Sequence, residues 1–309
     1  MKIRIGHLST FYHTSILIIA RDTMGPDAEW KLFGTGPAIV NAFENGEIDL
    51  AYIGLPPAII GIDRGVDIKC IAGGHVEGTV ISGKSQFRSF DEVSRPEELL
   101  KQFVGHKIGV PGKGSIHDVI ISESLESLKL DKEIDIINFR WADQVLEAMH
   151  RGEISAAAGT PALAVAVMKY ADCKVLYPPS RLWPDNPSYG ILVKTDFLNR
   201  ETERVERFLV LHEEATSILR TKPSEAAGII SDYVGIVDSD FVLDTLNVSP
   251  KYCACLTDEY IASTMEFVKV LKRLEYISRE ISYDEIFDTS LIKKIHPAGD
   301  HYGDGIAAN

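Results

Sequence analysis

The chain has 309 residues, 45% hydrophobic and 25% charged, the mixture of a globular protein with one large core or two of about 150 residues. Its 45 acidic against 32 basic residues leave a formal charge of -13, which argues against a protein that follows nucleic-acid phosphates. No stretch reaches the ~18 apolar residues of a membrane span, and Cys70, Cys173, Cys253 and Cys255 form neither a disulfide framework nor a common zinc spacing.

Residues 1–6 alternate in polarity, and 2–7 read as a buried strand. A polar turn, Ser9-Thr10-Phe11-Tyr12-His13, leads to a helix over 14–22. A short strand at 30–33 follows, then a helix entered through Gly34-Thr35-Gly36 and ending near Gly46. After a strand at 48–53, Gly54-Leu55-Pro56-Pro57 starts a short helix with proline in its first turn, where the missing N–H costs nothing. A strand at 68–72 closes on Gly73-Gly74.

The pattern restarts after a helix over 96–103. It runs through a strand at 107–110, a glycine-rich turn at 111–115, a helix over 116–128, a strand at 134–139 and a helix over 143–151. A strand of small residues at 154–158, a helix opened by Thr160-Pro161 and running through Met168, and a strand at 175–177 complete it. Residues 178–187 hold four of the fourteen prolines and read as a loop or crossing. A strand at 191–193 and helices over 200–220, 222–233 and 258–274 make the C-terminal third mainly helical.

Strands alternating with helices of this length predict an α/β fold, each lobe a mainly parallel sheet flanked by helices. The order fits two lobes: 1–83 with 188–309, and 84–187 inserted, with crossings near 82–87 and 185–190. Two crossings make a hinge, and a cleft between lobes is a common place for a small ligand.

In parallel α/β sheets ligands lie outside the carboxyl ends of the strands. Residues 9–13, 34–37, 54–57, 73–79, 112–118 and 159–161 occupy such positions and pair glycine or proline with hydroxyl or imidazole groups. Helix N-termini there offer N–H groups to an anion, Gly114-Ser115 most sharply, although Ser115 also suits a helix cap. The Gly-Lys-Gly-Ser run lacks the ending of a P-loop and the spacing of a Rossmann fingerprint, and no Gly-x-Ser-x-Gly elbow occurs. His13, His75 and His117 fall in predicted loops near Glu77 and Asp118, but without a metal-ligand spacing such as His-x-x-x-His. They read as hydrogen-bonding loop histidines. No metal or cofactor is expected. Phe11, Tyr12, Trp141, Trp183 and Tyr189 lie near the proposed cleft and suit an organic ligand with an apolar body.

Ile3-Arg4-Ile5-Gly6 before a polar loop and helix, residues 38–46 feeding Ile48-Asp49-Leu50-Ala51, and Arg64-Gly65-Val66-Asp67-Ile68-Lys69 resemble the solute-binding proteins of ABC importers. The likeness is to their nitrate, sulfonate and taurine group, covers about residues 1–195, and includes the typical phrases at 46–50 and 105–110. It implies a two-lobed type II periplasmic-binding-protein-like fold closing on a small anionic or zwitterionic organic solute. It also implies an ABC permease as partner and an extracytoplasmic location. No signal peptide is visible, so a native start at Met1 would place the chain in the cytoplasm. A monomer is expected.

Carried over by position, Ser9, Tyr12 and His13 would touch the ligand, and residues 34–36, with Thr35 and Gly36, would add donors. Glu77 and Gly78 would line the hinge side, Ser115, His117 and Thr160 the second lobe, and Tyr189 the return. The alternative is an enzyme on the same scaffold, since the fold also carries dehydratases of menaquinone synthesis and a pyrimidine synthase. The synthase uses an iron-binding cysteine cluster, which is absent here.

Overall fold

The computed structural model describes residues 2–297 and 299–303. Met1, where the predicted first strand begins, and residues 304–309 of the predicted first lobe lie outside the described residues. In chain order the strands are β1 (Ile3–Leu8), β2 (Ala28–Phe33), β3 (Leu50–Ile53), β4 (Ile68–Val76), β5 (Val80–Lys84), β6 (Lys107–Pro111), β7 (Asp135–Phe139), β8 (Ala156–Gly159), β9 (Cys173–Tyr177) and β10 (Pro187–Lys194). They form two five-stranded sheets, ordered β2-β1-β3-β10-β4 and β7-β6-β8-β5-β9.

Each sheet runs four strands one way and one against them. β1 is parallel to β2 and β3, while β10 is antiparallel to β3 and β4. β6 is parallel to β7 and β8, while β5 is antiparallel to β8 and β9. The reversed strand is in both cases the first one after the chain has crossed from the other sheet. Each crossing thus inserts a strand between two of the sheet's own, which ties the two bodies together at neighbouring points.

The first crossing is Glu77-Gly78-Thr79, earlier than the expected 82–87, because Val80–Lys84 is a strand of the second sheet. β4 also runs through Gly73-Gly74 instead of stopping there. A side chain at either glycine would collide, at Gly73 with the Tyr302 hydroxyl and at Gly74 with the Tyr189 ring. The return lies between Tyr177 and Pro187 and holds the short helix Pro179–Leu182, which the proline count hid. Glu77 N–H donates to Asn186 O at 2.8 Å, so the two crossings touch.

The strands fold where apolar runs can be buried on both faces. Leu50–Ile53 is wholly buried, and Ala156–Gly159 is buried with side chains small enough to let helices pack closely. Prolines begin the helices Gly36–Glu44, Leu55–Asp63 and Pro161–Tyr170 without loss of a hydrogen bond. At the amino end, Asp49 accepts from Arg4 N at 3.0 Å and Arg4 Nε at 2.9 Å, pinning β1 to the start of β3.

The C-terminal region packs on the first sheet through Thr202–Thr221, Pro223–Val234 and Asp258–Arg273. The expected helix over 200–220 is Thr202–Thr221, preceded by a separate short helix, Thr195–Arg200. A helix absent from the sequence reading, Ser239–Val248, is capped by Asp238, whose carboxylate accepts from Phe241 N at 2.7 Å. It packs against Pro161–Tyr170 of the second body, and Lys169 Nζ lies 3.1 Å from Asp238 Oδ2.

Candidate functional site

The carboxyl ends of both sets of strands face one cavity of about 690 Å³. Residues 8–13 after β1, Gly34–Gly36 after β2, and Gly54 with Pro57 after β3 form one wall. Pro111 and Ser115–His117 after β6, Ala142 and Asp143 at the start of Ala142–His150, and Thr160 after β8 form the other. Ser188, on the reversed strand β10, closes the inner end. The volume lies within the usual range for small-molecule sites.

Local geometry explains why these turns can approach one another. Gly112 and Gly114 have φ of +68° and +78°, left-handed values that favour glycine. A side chain on Gly112 would come within 2.8 Å of Thr35 Cγ2 on the opposite wall. Ser115 caps the helix Ile116–Ser127: its Oγ accepts from Asp118 N at 3.3 Å and donates to Pro111 O at 2.6 Å. Thr160 caps Pro161–Tyr170 in the same way, accepting from Leu163 N at 3.2 Å. Both hydroxyls are therefore structural as well as exposed to the cavity wall.

The imidazoles are neutral donors and acceptors. Burial lowers the pKa of His7, lowers His13 well below the ordinary histidine value, and pulls His117 down to about 4. His117 Nδ1 lies 2.9 Å from Thr79 Oγ1, linking the helix Ile116–Ser127 to the first crossing. Tyr12 OH lies 3.1 Å from Ser188 Oγ, and burial pushes its phenol up to about 12. Among the described residues no Lys or Arg lines the cavity, and no group of three or more His, Cys, Asp or Glu is placed to hold a metal ion.

Ser9, Tyr12, His13, Thr35, Gly36, Ser115, His117 and Thr160 all line this cavity. Glu77, Gly78, Trp141 and Tyr189 do not. Glu77 (φ +60°) is a buried part of the crossing: its carboxylate accepts from Lys251 Nζ at 2.8 Å and Asp185 N at 3.1 Å. Gly78 is pressed against Ser188, leaving no room for a side chain. Trp141, 42% exposed, lies over Gly34 of the facing body. Tyr189 is wholly buried behind His13, ring centroids 4.0 Å apart, and its hydroxyl accepts from Thr14 N at 3.3 Å. Trp183 stacks on Phe267, and His75 lies inside β4 with Nε2 2.6 Å from Ser249 O. The sequence reading missed Trp30, Asp143, Ser188, Tyr233, Ile236 and Phe241. The one local signal for part of this set is Gly235, a left-handed helix stop followed by the apolar pair Ile236-Val237.

The sequence profile of the NMT1-like family matches residues 1–231. This chain belongs to the NMT1-like family. A Bacillus subtilis protein named for binding aliphatic sulfonates is 24% identical to this NMT1-like chain over 275 residues, 87% of this chain and 79% of that protein. A Brucella abortus protein named only as a binding protein is 24% identical over 80% of the chain and 76% of its own length. Among solved structures, the ligand-binding component of an ABC-type import system from Staphylococcus aureus superposes with a TM-score of 0.79 at 16% identity, covering 96% of this chain and all (100%) of that one. The periplasmic aliphatic sulphonate-binding protein SsuA of Escherichia coli gives 0.76 at 16% identity over 93% and 92% of the two chains. The periplasmic nitrate-binding protein NrtA of Synechocystis gives 0.76 at 15% over 100% and 91%. The fold of this NMT1-like protein is that of the type II periplasmic binding proteins.

Proposed function

We propose that this chain is the solute-binding component of an ABC-type import system, closing two lobes on a small organic solute. One observation carries the reading: a single cavity walled by strand-end turns of both sheets, with the two chain crossings in contact behind it. In this account residues 80–182 move as one lobe and residues before 77 and after 186 as the other, about Glu77-Gly78-Thr79 and 183–186. The partner is a permease on the extracytoplasmic side, the setting that the names of the periplasmic relatives support. Among the described residues no helix is long and apolar enough to cross a membrane.

A thermal-shift panel tests this. Sulfonates, taurine and nitrate supply the anionic and zwitterionic probes, and uncharged ring compounds a further arm. A true ligand at a hundred times its Kd adds about 2.7 kcal/mol of stability. Ser9→Ala and Thr35→Ala are expected to weaken the shift at unchanged fold. Recovery of the ligand unaltered after long incubation supports a receptor, and its conversion supports the enzyme alternative. A shift that survives every substitution in the cavity wall overturns the reading.

A further inference from the structure

The cavity has two unlike ends. The inner end is polar and closed: Tyr12, His13, Ser115, His117 and Ser188 are all buried. The outer end is apolar and open. Leu32, Tyr170, Tyr233 and Ile236 border the same cavity although they are 55%, 55%, 53% and 85% exposed. Single exposed apolar side chains are ordinary, but four of them around one mouth, contributed by both bodies, make an apolar rim.

The described side chains of the wall supply no positive charge for an anion. Asp143 is the one formally charged side chain of the wall among the described residues. Directly behind the wall lies Asp118, in the first turn of Ile116–Ser127, the helix whose start faces the cavity. Its carboxylate accepts from Gly114 N at 2.7 Å, Asn138 Nδ2 at 2.8 Å and Tyr276 OH at 2.6 Å. The positive end of that helix dipole therefore already faces a carboxylate of the chain's own. Burial keeps the imidazoles of the wall uncharged at neutral pH. Thr10 Oγ1 and His13 Nδ1, buried atoms of lining residues, have no partner among the described residues. That leaves hydrogen-bonding capacity at the inner end without a counter-charge. Size separately argues for a body larger than nitrate, whose four heavy atoms would fill little of about 690 Å³.

We propose that the solute carries an uncharged hydrogen-bonding head on an apolar, ring-sized body, the head held at the inner end and the body under the rim, and that a sulfonate head is selected against. The inference rests on the receptor reading above and narrows its ligand class.

Matched pairs that share a ring and differ only in the head decide it: nicotinamide against pyridine-3-sulfonate, and benzamide against benzenesulfonate, titrated by calorimetry into the full chain. The carboxamide is expected to bind at least tenfold more tightly in both pairs. Asp143→Lys, an exposed position, is expected to narrow that ratio at least fivefold, and Ile236→Ser to weaken both members, with melting curves confirming that each variant folds. A sulfonate that binds as tightly as its carboxamide overturns the inference while leaving the receptor reading intact. Failure of all four probes overturns it as well, and the receptor reading then stands or falls on the wider panel.

Discussion

Acid should unfold this protein in a pH window set by buried histidines. His75, His117 and His212 are wholly or almost wholly buried, and burial lowers each from the ordinary 6.5 to about 4. A folded-state pKa below the unfolded one means that the unfolded chain takes up protons first. The stability these neutral rings supply is thus complete above about 6.5 and is lost as the pH falls toward 4. Between pH 7 and 5 each ring contributes a loss of about 1.8 kcal/mol, or about 5.5 kcal/mol for the three together, and His13, lowered by burial too, adds in the same direction. With ~2.1 cal/mol/K of unfolding entropy per residue over this length, the melting temperature drops by at least about 8 °C. Glu92 and Glu285, held down to about 2 by hydrogen bonds from Ser89 and Ser282, lose their effect only below the ordinary carboxylate value, so they do not confuse this window. Scanning fluorimetry at fixed ionic strength from pH 7.5 to 4.5 reads the slope. His212→Gln, which loses a ring bonded to Thr14 Oγ1 and Gly73 O at 2.8 Å each, should start lower and show a shallower slope, the remainder coming from His75, His117 and His13, all lowered by burial. A melting temperature that stays level between pH 7 and 5 refutes the reasoning.

Three further outcomes follow from buried contacts. Tyr189→Phe leaves the Thr14 N–H without its acceptor inside the core, so the urea midpoint should fall by the equivalent of about 1–3 kcal/mol with an unchanged m value. Gly78→Ala places a carbon 1.8 Å from Ser188 Oγ and should destabilise by about 1–3 kcal/mol, with partial recovery in Gly78→Ala/Ser188→Gly. No recovery would show that the strain does not come from the contact with Ser188. Burial pushes the Cys253 thiol up to about 12, so iodoacetamide at pH 8 should label it only after unfolding. Rapid labelling of the native chain would contradict its placement.

The strands were legible because both faces of an α/β sheet demand apolar runs, and stretches such as Leu50–Ile53 leave little alternative. The turns after them were legible for a related reason: parallel topology puts every strand's carboxyl end on one side, so position along the chain gives position in the site. What escaped is what depends on side-chain direction. Tyr189 occupies a strand beside the cleft, but its ring turns back over Gly74 into the core, and alternation alone does not say which face is inward. Gly73-Gly74 read as a strand end, whereas the glycines make room for Tyr302 and Tyr189. Tyr233, Ile236 and Phe241 reach the cavity only because the C-terminal helices fold back onto the second body, a long-range contact with no local signature.

The most direct test of a solute held between the two sheets is hydrogen exchange of the chain with and without a stabilising ligand. Amides of residues 9–13, 34–36, 115–117 and 160–163 should gain protection together, from both walls at once. Protection confined to one wall, or gathered around the separate groove of Arg64, Asp67 and Lys194, would contradict the account.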